Sequence, residues 1–427
     1  MPRIWITLLL AVASAGSVRG VDTTIVLDAE QSWSRDGRQK SLLATTLELS
    51  HSFSRDSAIT AIVRAQFIGP DQLDPGQHSQ PSVSPASRRF SVNDTLEIEL
   101  REFYWDLDLD RAQLRLGKQQ VVWGQADGLK VLDVVNPQSF RQFILEDFDD
   151  SRIPIWMVNL ELALDIGDLQ LLWIPDTSMH SLPTAGSTFE FTAPFANIPS
   201  FIPISIRPVD RPDRLLSDSD FGIRFGAFRG GWDVTLNYMY HYDDFPVLRK
   251  QVGPGGLELT PVYERTHTLG GTASNSFGSF VLRTELAFNT DKYVDATIIG
   301  FNRGVEKSRE LSYVIGLDWS GLRDTLLSAQ IFQSRLLDDE HYSRDDTETN
   351  FTFLLRRNFL NESFLLELLW IVHENEKDNL IRFKSQFELT SNIDVSLYAD
   401  FFSGKPDQLF GQFEHRDQVG LRLTVGF

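Results

Sequence analysis

Along most of the chain, apolar side chains recur at every second position. In 393–401 one parity reads Ile393, Val395, Leu397, Ala399 and Phe401, and the other Asp394, Ser396, Tyr398 and Asp400. In 232–240 Trp232, Val234, Leu236, Tyr238 and Tyr240 alternate with Asp233, Thr235, Asn237 and Met239. Phe280, Leu282, Thr284, Leu286 and Phe288 stand against Val281, Arg283, Glu285 and Ala287 in the same way, and 311–319 and 381–389 repeat the pattern. Neighbouring side chains of a strand point to opposite faces, whereas a helix would space its apolar residues three and four apart. The period is therefore that of strands with one greasy and one wet face. A soluble sandwich also alternates, but here the polar face carries opposite charges close together, Arg283 with Glu285 and Lys384 with Glu388. Trp33, Trp232, Trp319 and Phe401 sit at strand ends, as the interfacial girdles of membrane barrels do. The pattern predicts an all-β fold, a transmembrane antiparallel β-barrel.

Eighteen strands are expected, at 23–33, 42–53, 57–68, 93–106, 110–118, 154–165, 168–175, 219–229, 232–242, 265–275, 277–289, 309–319, 324–335, 349–358, 363–373, 378–389, 391–402 and 417–427. An even number suits a bacterial barrel. Tight links follow the even-numbered strands, and longer links mostly follow the odd-numbered ones. That is the rhythm of short periplasmic turns and long outer loops, with both ends of the barrel periplasmic. The link 374–377 breaks it, being an outer connection that is short; one miscounted hairpin would give 16 strands. Two residues disturb the alternation. Glu102 falls on the lipid parity of Leu96, Ile98 and Leu100, which calls for a β-bulge or an earlier strand end. Lys118 falls on a lipid-facing parity as well and is expected to snorkel to the interface. A barrel of about 16 to 18 strands encloses an aqueous channel unless something fills it, and the loops that fold inward then decide function.

Composition narrows the class. Arg3 followed by the apolar run Ile4–Val12 and small residues reads as a secretory signal peptide, with Ala13-Ser14-Ala15 or Val18-Arg19-Gly20 preceding the cut. The domain reading is a signal peptide over 1–20 and one barrel over 21–427. The apolar run is far shorter than the roughly 20 residues of a spanning helix, and later runs are interrupted by Glu367, His373 and Glu374. The chain has no cysteine, so no disulfide supports it; a closed barrel gains its stability from strands paired on both sides. The formal net charge of −19 argues against a nucleic-acid partner, which needs a basic face. It suits an outer surface meeting divalent cations and lipopolysaccharide, or a cation-preferring pore. The expected location is the cell outer membrane.

The last residues carry a further signal. Val419, Leu421, Leu423, Val425 and Phe427 share one parity. A final strand of this form resembles the signal read by the barrel-assembly machinery, offering a strand edge that β-augmentation can capture. The first expected strand begins close behind the leader, which leaves no room for an N-terminal plug domain.

Two long insertions stand out. The segment 119–153 combines an apolar stretch, 129–135, with the turn signal Asn136-Pro137 and the acidic run Glu146-Asp147-Phe148-Asp149-Asp150. A loop of this length with apolar content of its own is more often folded than floppy, and in a barrel the lumen is where it can be buried. It is expected to narrow the lumen, with Asp127 and Asp133 facing water or one of Arg115, Arg224 and Arg283, the alternative being an external cap. The second insertion, 176–218, holds Phe189, Phe191, Phe195, Phe201, Ile202 and Ile204 among six prolines, a spacing that forbids regular helix or central strand. It reads as a proline-stiffened lid packed on the first loop, the alternative being an apolar surface for a greasy substrate. The acidic runs at 146–150 and at Asp338-Asp339-Glu340 lack the spacing and glycine of a calcium loop and read as solvated loops, so no metal site is expected.

The stretch Leu114–Pro137, LRLGKQQVVWGQADGLKVLDVVNP, resembles the signature segment of a family of Gram-negative outer-membrane proteins characterised only as a domain of unknown function. The matching positions are Arg115, Gly117, Gln119, Trp123, Gly124, Asp127, Asp133, Asn136 and Pro137. The RLGKQ part is shared with ordinary porins, while WGQAD and DVVNP are more distinctive. Members of such families are often found beside exporters of the resistance-nodulation-division type that handle hydrophobic compounds, so the resemblance implies an inner-membrane exporter as a partner.

The function expected is a porin-like channel passing small or hydrophobic compounds, with no cofactor. The candidate constriction is Trp123, Gly124, Asp127, Asp133, Asn136 and Pro137. Lumen-facing charges include Arg64, Arg115, Arg224, Arg283, Glu285, Arg382 and Lys384. The inward acids outnumber the bases, which predicts mild cation preference. No G-x-S-x-G or H-E-x-x-H motif points to catalysis. An outer-membrane lipid hydrolase with a spatial triad, and a non-conducting receptor or scaffold, stay open as alternatives.

Overall fold

The computed structural model describes residues 20–69, 73, 80–193, 203–209, 211–253, 255–295, 304–338, 342 and 344–427. The expected leader, Pro194, Phe195, Pro199, Phe201 and Ile202 of the second insertion, and the Asp339-Glu340 pair lie outside the described residues. Eighteen antiparallel strands close on themselves: β1 Val21–Ser34, β2 Gly37–Ser54, β3 Ser57–Ile68, β4 Leu96–Leu109, β5 Ala112–Gln119, β6 Ile155–Leu164, β7 Gly167–Ile174, β8 Asp220–Arg229, β9 Trp232–Tyr242, β10 Arg265–Phe277, β11 Phe280–Asp295, β12 Val305–Trp319, β13 Thr325–Leu336, β14 Thr347–Phe359, β15 Phe364–His373, β16 Asp378–Thr390, β17 Ile393–Ser403 and β18 Gln418–Gly426. Each pairs with the next in sequence, and β1 pairs with β18 from Val26↔Gly426 to Trp33↔Val419. Phe427 lies one residue past β18 and extends the seam by exchanging backbone hydrogen bonds with Ile25, at 2.9 and 3.2 Å. Leu423 and Val425 lie in the seam opposite Ala29 and Leu27.

The molecule is inverted relative to a soluble domain. Large apolar side chains such as Trp105, Leu236, Leu286, Phe353, Trp370 and Leu421 are exposed on the outer face, where only lipid makes them stable. Glu97, Asn159, Thr235, Asn237, Glu285, Gln330 and Asp400 are buried on the inner face. The short 374–377 turn is real, and so is a second short outer link, Arg35–Asp36, so the count is 18 although the loop rhythm is imperfect.

Both irregular residues have a physical account. Opposite Ile62 lies Glu102, but opposite Val63 lies Leu100, so Arg101 is the extra residue of a bulge that resets the phase. Lys118 does not snorkel. It is 1 % exposed, and its ammonium donates to the carbonyls of Leu100 at 2.7 Å and Ser87 at 3.1 Å. A bulge disrupts the ladder locally, and the buried lysine satisfies a carbonyl at that point.

Candidate functional site

After β5 the chain turns into the barrel and crosses it. The entrance is closed by Asn136, which is 1 % exposed. Its Oδ1 accepts from the Val121 N–H at 2.7 Å, and its Nδ2 donates to the Gln119 and Ile153 carbonyls, both at 3.1 Å. Pro137 adds its carbonyl, which takes the Ile153 N–H at 2.7 Å. The Asn-Pro pair thus ties the outgoing and returning strands of the loop together. Trp123 is buried next to this neck, donates to Gln170 Oε1 at 2.7 Å, and packs with Val121 and Val135 on Ile155, Met157, Leu172, Ile174 and Met239 of the inner wall.

The tip reaches the opposite wall. Glu285 accepts the N–H groups of Gln125 and of Leu132, the latter at 3.1 Å. Arg283 donates to the Gln125 carbonyl at 2.6 Å, pairs with Asp127, and also meets Asp318 at 2.8 Å. Gln330 donates to Asp127 at 2.9 Å. A Cβ on Gly270 of β10 would stand 2.5 Å from Leu132 Cδ2, so the bare backbone there makes room for the loop. Gly124 lies against Asp133, whose carboxylate holds Arg152 at 2.8 Å and Lys130 at 2.7 Å within the loop itself.

Of the three arginines expected to meet Asp127 or Asp133, the structure therefore supplies Arg283 alone. Arg115 instead pairs with Asp106 on the neighbouring strand at 2.6 Å and lies over the Tyr104 ring. Arg224 sits on β8, which the loop touches through Trp123 against Gly222. The inner apolar wall was not foreseen. The signal was available: Met157, Leu172, Met239, Ile371 and Leu380 are apolar residues on lumen parities, each a break in the alternation that marks where something dry must dock.

The returning half of the loop separates two spaces. Arg382 donates to the Ile144 and Leu145 carbonyls at 3.1 and 2.6 Å while holding Asp400 at 3.0 Å. Arg64 bridges Asp150 at 3.1 Å and Glu99 at 3.0 Å. Arg101 donates to the carbonyls of Asp149, Asp150 and Arg152. The acidic run is thus a wall-anchored turn, Phe148–Ser151 being one helical turn, in which Asp147 and Asp149 remain exposed to solvent. On one side of it lies a cavity of about 110 Å³, with Glu146, Asp147 and Asp150 facing Lys40, Arg64, Arg382, Lys384 and Arg422. Burial raises the Glu146 carboxyl above its ordinary range, although Lys40 and Arg64 oppose the shift.

On the other side is a larger cavity of about 470 Å³, lined by Phe140, Phe143, Phe148, Phe191, Phe245 and Phe410. Asp243, paired with Lys292 at 2.6 Å, and His180, Lys130, Asp244 and Glu310 line it as well. His180 Nδ1 accepts the Gln138 N–H at 2.9 Å, and burial lowers its pKa to about 3, so the ring is neutral. The second insertion packs on the first as a lid: Ser181 exchanges backbone hydrogen bonds with Gln138 and Phe140, and Phe189 and Phe191 join Phe143, Phe402, Phe410 and Phe413.

Solved structures share this architecture at low sequence identity. OccAB2 of Acinetobacter baumannii is 9 % identical, with 95 % of this chain and 97 % of that one covered and a TM-score of 0.54. OccK2 (OpdF) of Pseudomonas aeruginosa, solved in complex with glucuronate, is 10 % identical over 96 % and 98 %, with a TM-score of 0.52. OccK8 (OprE) of the same organism is 12 % identical over 97 % and 99 %, with a TM-score of 0.51. These likenesses establish the fold of an outer-membrane β-barrel. No curated protein matches the chain. A sequence family does match, over residues 79–427, and the chain belongs to it: DUF1302, a protein of unknown function.

Proposed function

We propose that this protein is a selective outer-membrane diffusion channel for small amphipathic molecules. The observation that carries the reading is the two-faced segment 142–150. Phe143, Ile144 and Phe148 line the aromatic cavity, while Gln142, Glu146, Asp147 and Asp150 line the charged one. A solute entering from the outer loops meets an apolar surface that can take its hydrocarbon part. Across the partition lies a narrow space with acids on the loop and, on the wall, five bases interspersed with Glu30, Glu367 and Asp400. Such a mixed-charge lining offers partners to both ends of a dipolar solute, and low-dielectric walls strengthen its field. OccK2, a barrel of the same fold, was solved with a small organic acid, which supports a small solute here. Trp123, Gly124, Asp127, Asp133, Asn136 and Pro137 act in this reading by holding the partition in place.

The test is conductance of the purified protein in planar bilayers. Excision of Gly124–Pro137, rejoined through a short glycine linker, is expected to raise single-channel conductance several-fold. Equal conductance in a correctly assembled barrel would remove the loop from the pathway.

A further inference from the structure

The turn between β15 and β16 carries a cluster that the channel reading does not use. His373 ends β15, Asp378 begins β16 directly opposite it, and Glu376 lies in the turn between them. Each offers one ligand atom, and the three atoms lie within 4.8 Å of one another. His373 Nδ1 is 3.2 Å from Asp378 Oδ1 and 3.8 Å from Glu376 Oε2. We propose that these three side chains form a binding site for a zinc-like divalent transition-metal ion.

Three observations support it. The first is that the two inner ligand atoms are buried with no partner but each other: His373 Nδ1 and Asp378 Oδ1 face each other at 3.2 Å on side chains 8 % and 0 % exposed. Such a pair satisfies itself only while a proton sits between the two atoms, and a metal ion would take that proton's place. The second is spacing. Zinc bonds of about 2.0–2.2 Å at the tetrahedral angle put neighbouring ligand atoms about 3.3–3.5 Å apart. The observed 3.2 and 3.8 Å need only a small adjustment of the exposed Glu376. The third is that the ligands are already oriented. Asp378 Oδ2 takes the Phe410 N–H at 2.6 Å, which turns Oδ1 toward the histidine. Gln408 donates to the Glu376 carbonyl at 2.6 Å, and Glu374 N–H bonds Thr349 O at 2.9 Å. Outer-shell contacts of this kind are what hold metal ligands in place.

One imidazole and two carboxylates favour zinc or a similar ion over calcium or magnesium, which want six or more oxygens. With three protein ligands, water would complete the shell. The bare alternative is a His373–Asp378 ion pair with no ion, flanked by Glu348, which Arg344 already neutralises at 2.8 Å. Because Asp378 also anchors Phe410, an ion here would fasten the loop that brings Phe410 and Phe413 into the aromatic cluster.

The experiment uses the full barrel in detergent, stripped with chelator and titrated with Zn²⁺ by calorimetry. The expected result is one ion per chain, binding at least ten-fold weaker in Glu376→Gln and absent in His373→Ala. Glu376 is exposed in the turn, so Glu376→Gln leaves the barrel intact and keeps the test sound if His373→Ala fails to fold. A hundred-fold excess of Mg²⁺ should not compete. Absence of binding to the wild type, or unchanged affinity in Glu376→Gln, would overturn the site. Neither result bears on conduction, which is measured separately.

Discussion

At the scale of single residues, the loop depends on a few side chains whose bonds cannot be replaced by water. Asn136 is the clearest. Its replacement by alanine would leave the Val121 N–H and the Gln119 and Ile153 carbonyls without their partner in a dry place. Each such group costs about 1–3 kcal/mol, so Asn136→Ala should destabilise the neck by several kcal/mol, on the order of 3 or more. The barrel wall does not need this side chain. The expected outcome is therefore a loop that opens within an intact barrel, seen as added current noise in bilayers and as protease sensitivity near 124–137 with unchanged barrel circular dichroism. Quiet current and a resistant loop would show that Trp123 and the wall contacts suffice. The sequence made Asn136-Pro137 visible as a turn signal. It could not show that one amide spans three backbone groups at 119, 121 and 153, because those positions meet only in three dimensions.

At the scale of elements, all eighteen barrel strands were legible, though some ends were misplaced by up to six residues, as at 277–289 against Phe280–Asp295. A period of two is local, and each strand of a membrane barrel advertises its own two faces. The register between strands was legible only where it failed. Glu102 on the wrong parity announced the bulge at Arg101, but Lys118 was misread because its partner carbonyls, Leu100 and Ser87, belong to other elements. The inward loop was anticipated from its apolar content, and its docking wall was not, although Met157, Leu172 and Met239 break the lumen's polarity. Segment 142–150 rests on Arg382, whose guanidinium holds both the Ile144–Leu145 carbonyls and Asp400. Arg382→Ala should release that segment and leave the buried Asp400 with Gln418 as a neutral donor at 2.8 Å. Removing one partner of a buried pair costs about 3–5 kcal/mol. The expected readout is a lower thermal midpoint together with a higher and noisier conductance. A lower midpoint with unaltered current would place the partition's stability in the aromatic cluster of Phe143, Phe402 and Phe413 instead.

At the scale of the whole molecule, charge and shape combine at the partition. The chain is acidic overall, but the narrow cavity is not uniformly so: Glu146, Asp147 and Asp150 stand on the loop, and Lys40, Arg64, Arg382, Lys384 and Arg422 stand on the wall. Glu30, Glu367 and Asp400 on the wall tip the balance slightly toward the acids. Mild cation preference at neutral pH is the expected result, measured as a reversal potential in a salt gradient. Its pH dependence has a definite sign. Burial raises the Glu146 pKa, so this carboxyl takes up its proton at a higher pH than an exposed glutamate does. On acidification the loop side therefore loses negative charge first, and the reversal potential should move toward anions before ordinary carboxylates, with pKa values near 4, begin to titrate. Glu146→Gln should reproduce the low-pH selectivity at neutral pH and flatten the early part of the pH profile, leaving conductance similar because the side-chain volume is kept. If the wild type and Glu146→Gln show the same reversal potential from neutral pH down to about pH 5, ions do not pass beside this carboxyl, and the route through the barrel lies elsewhere.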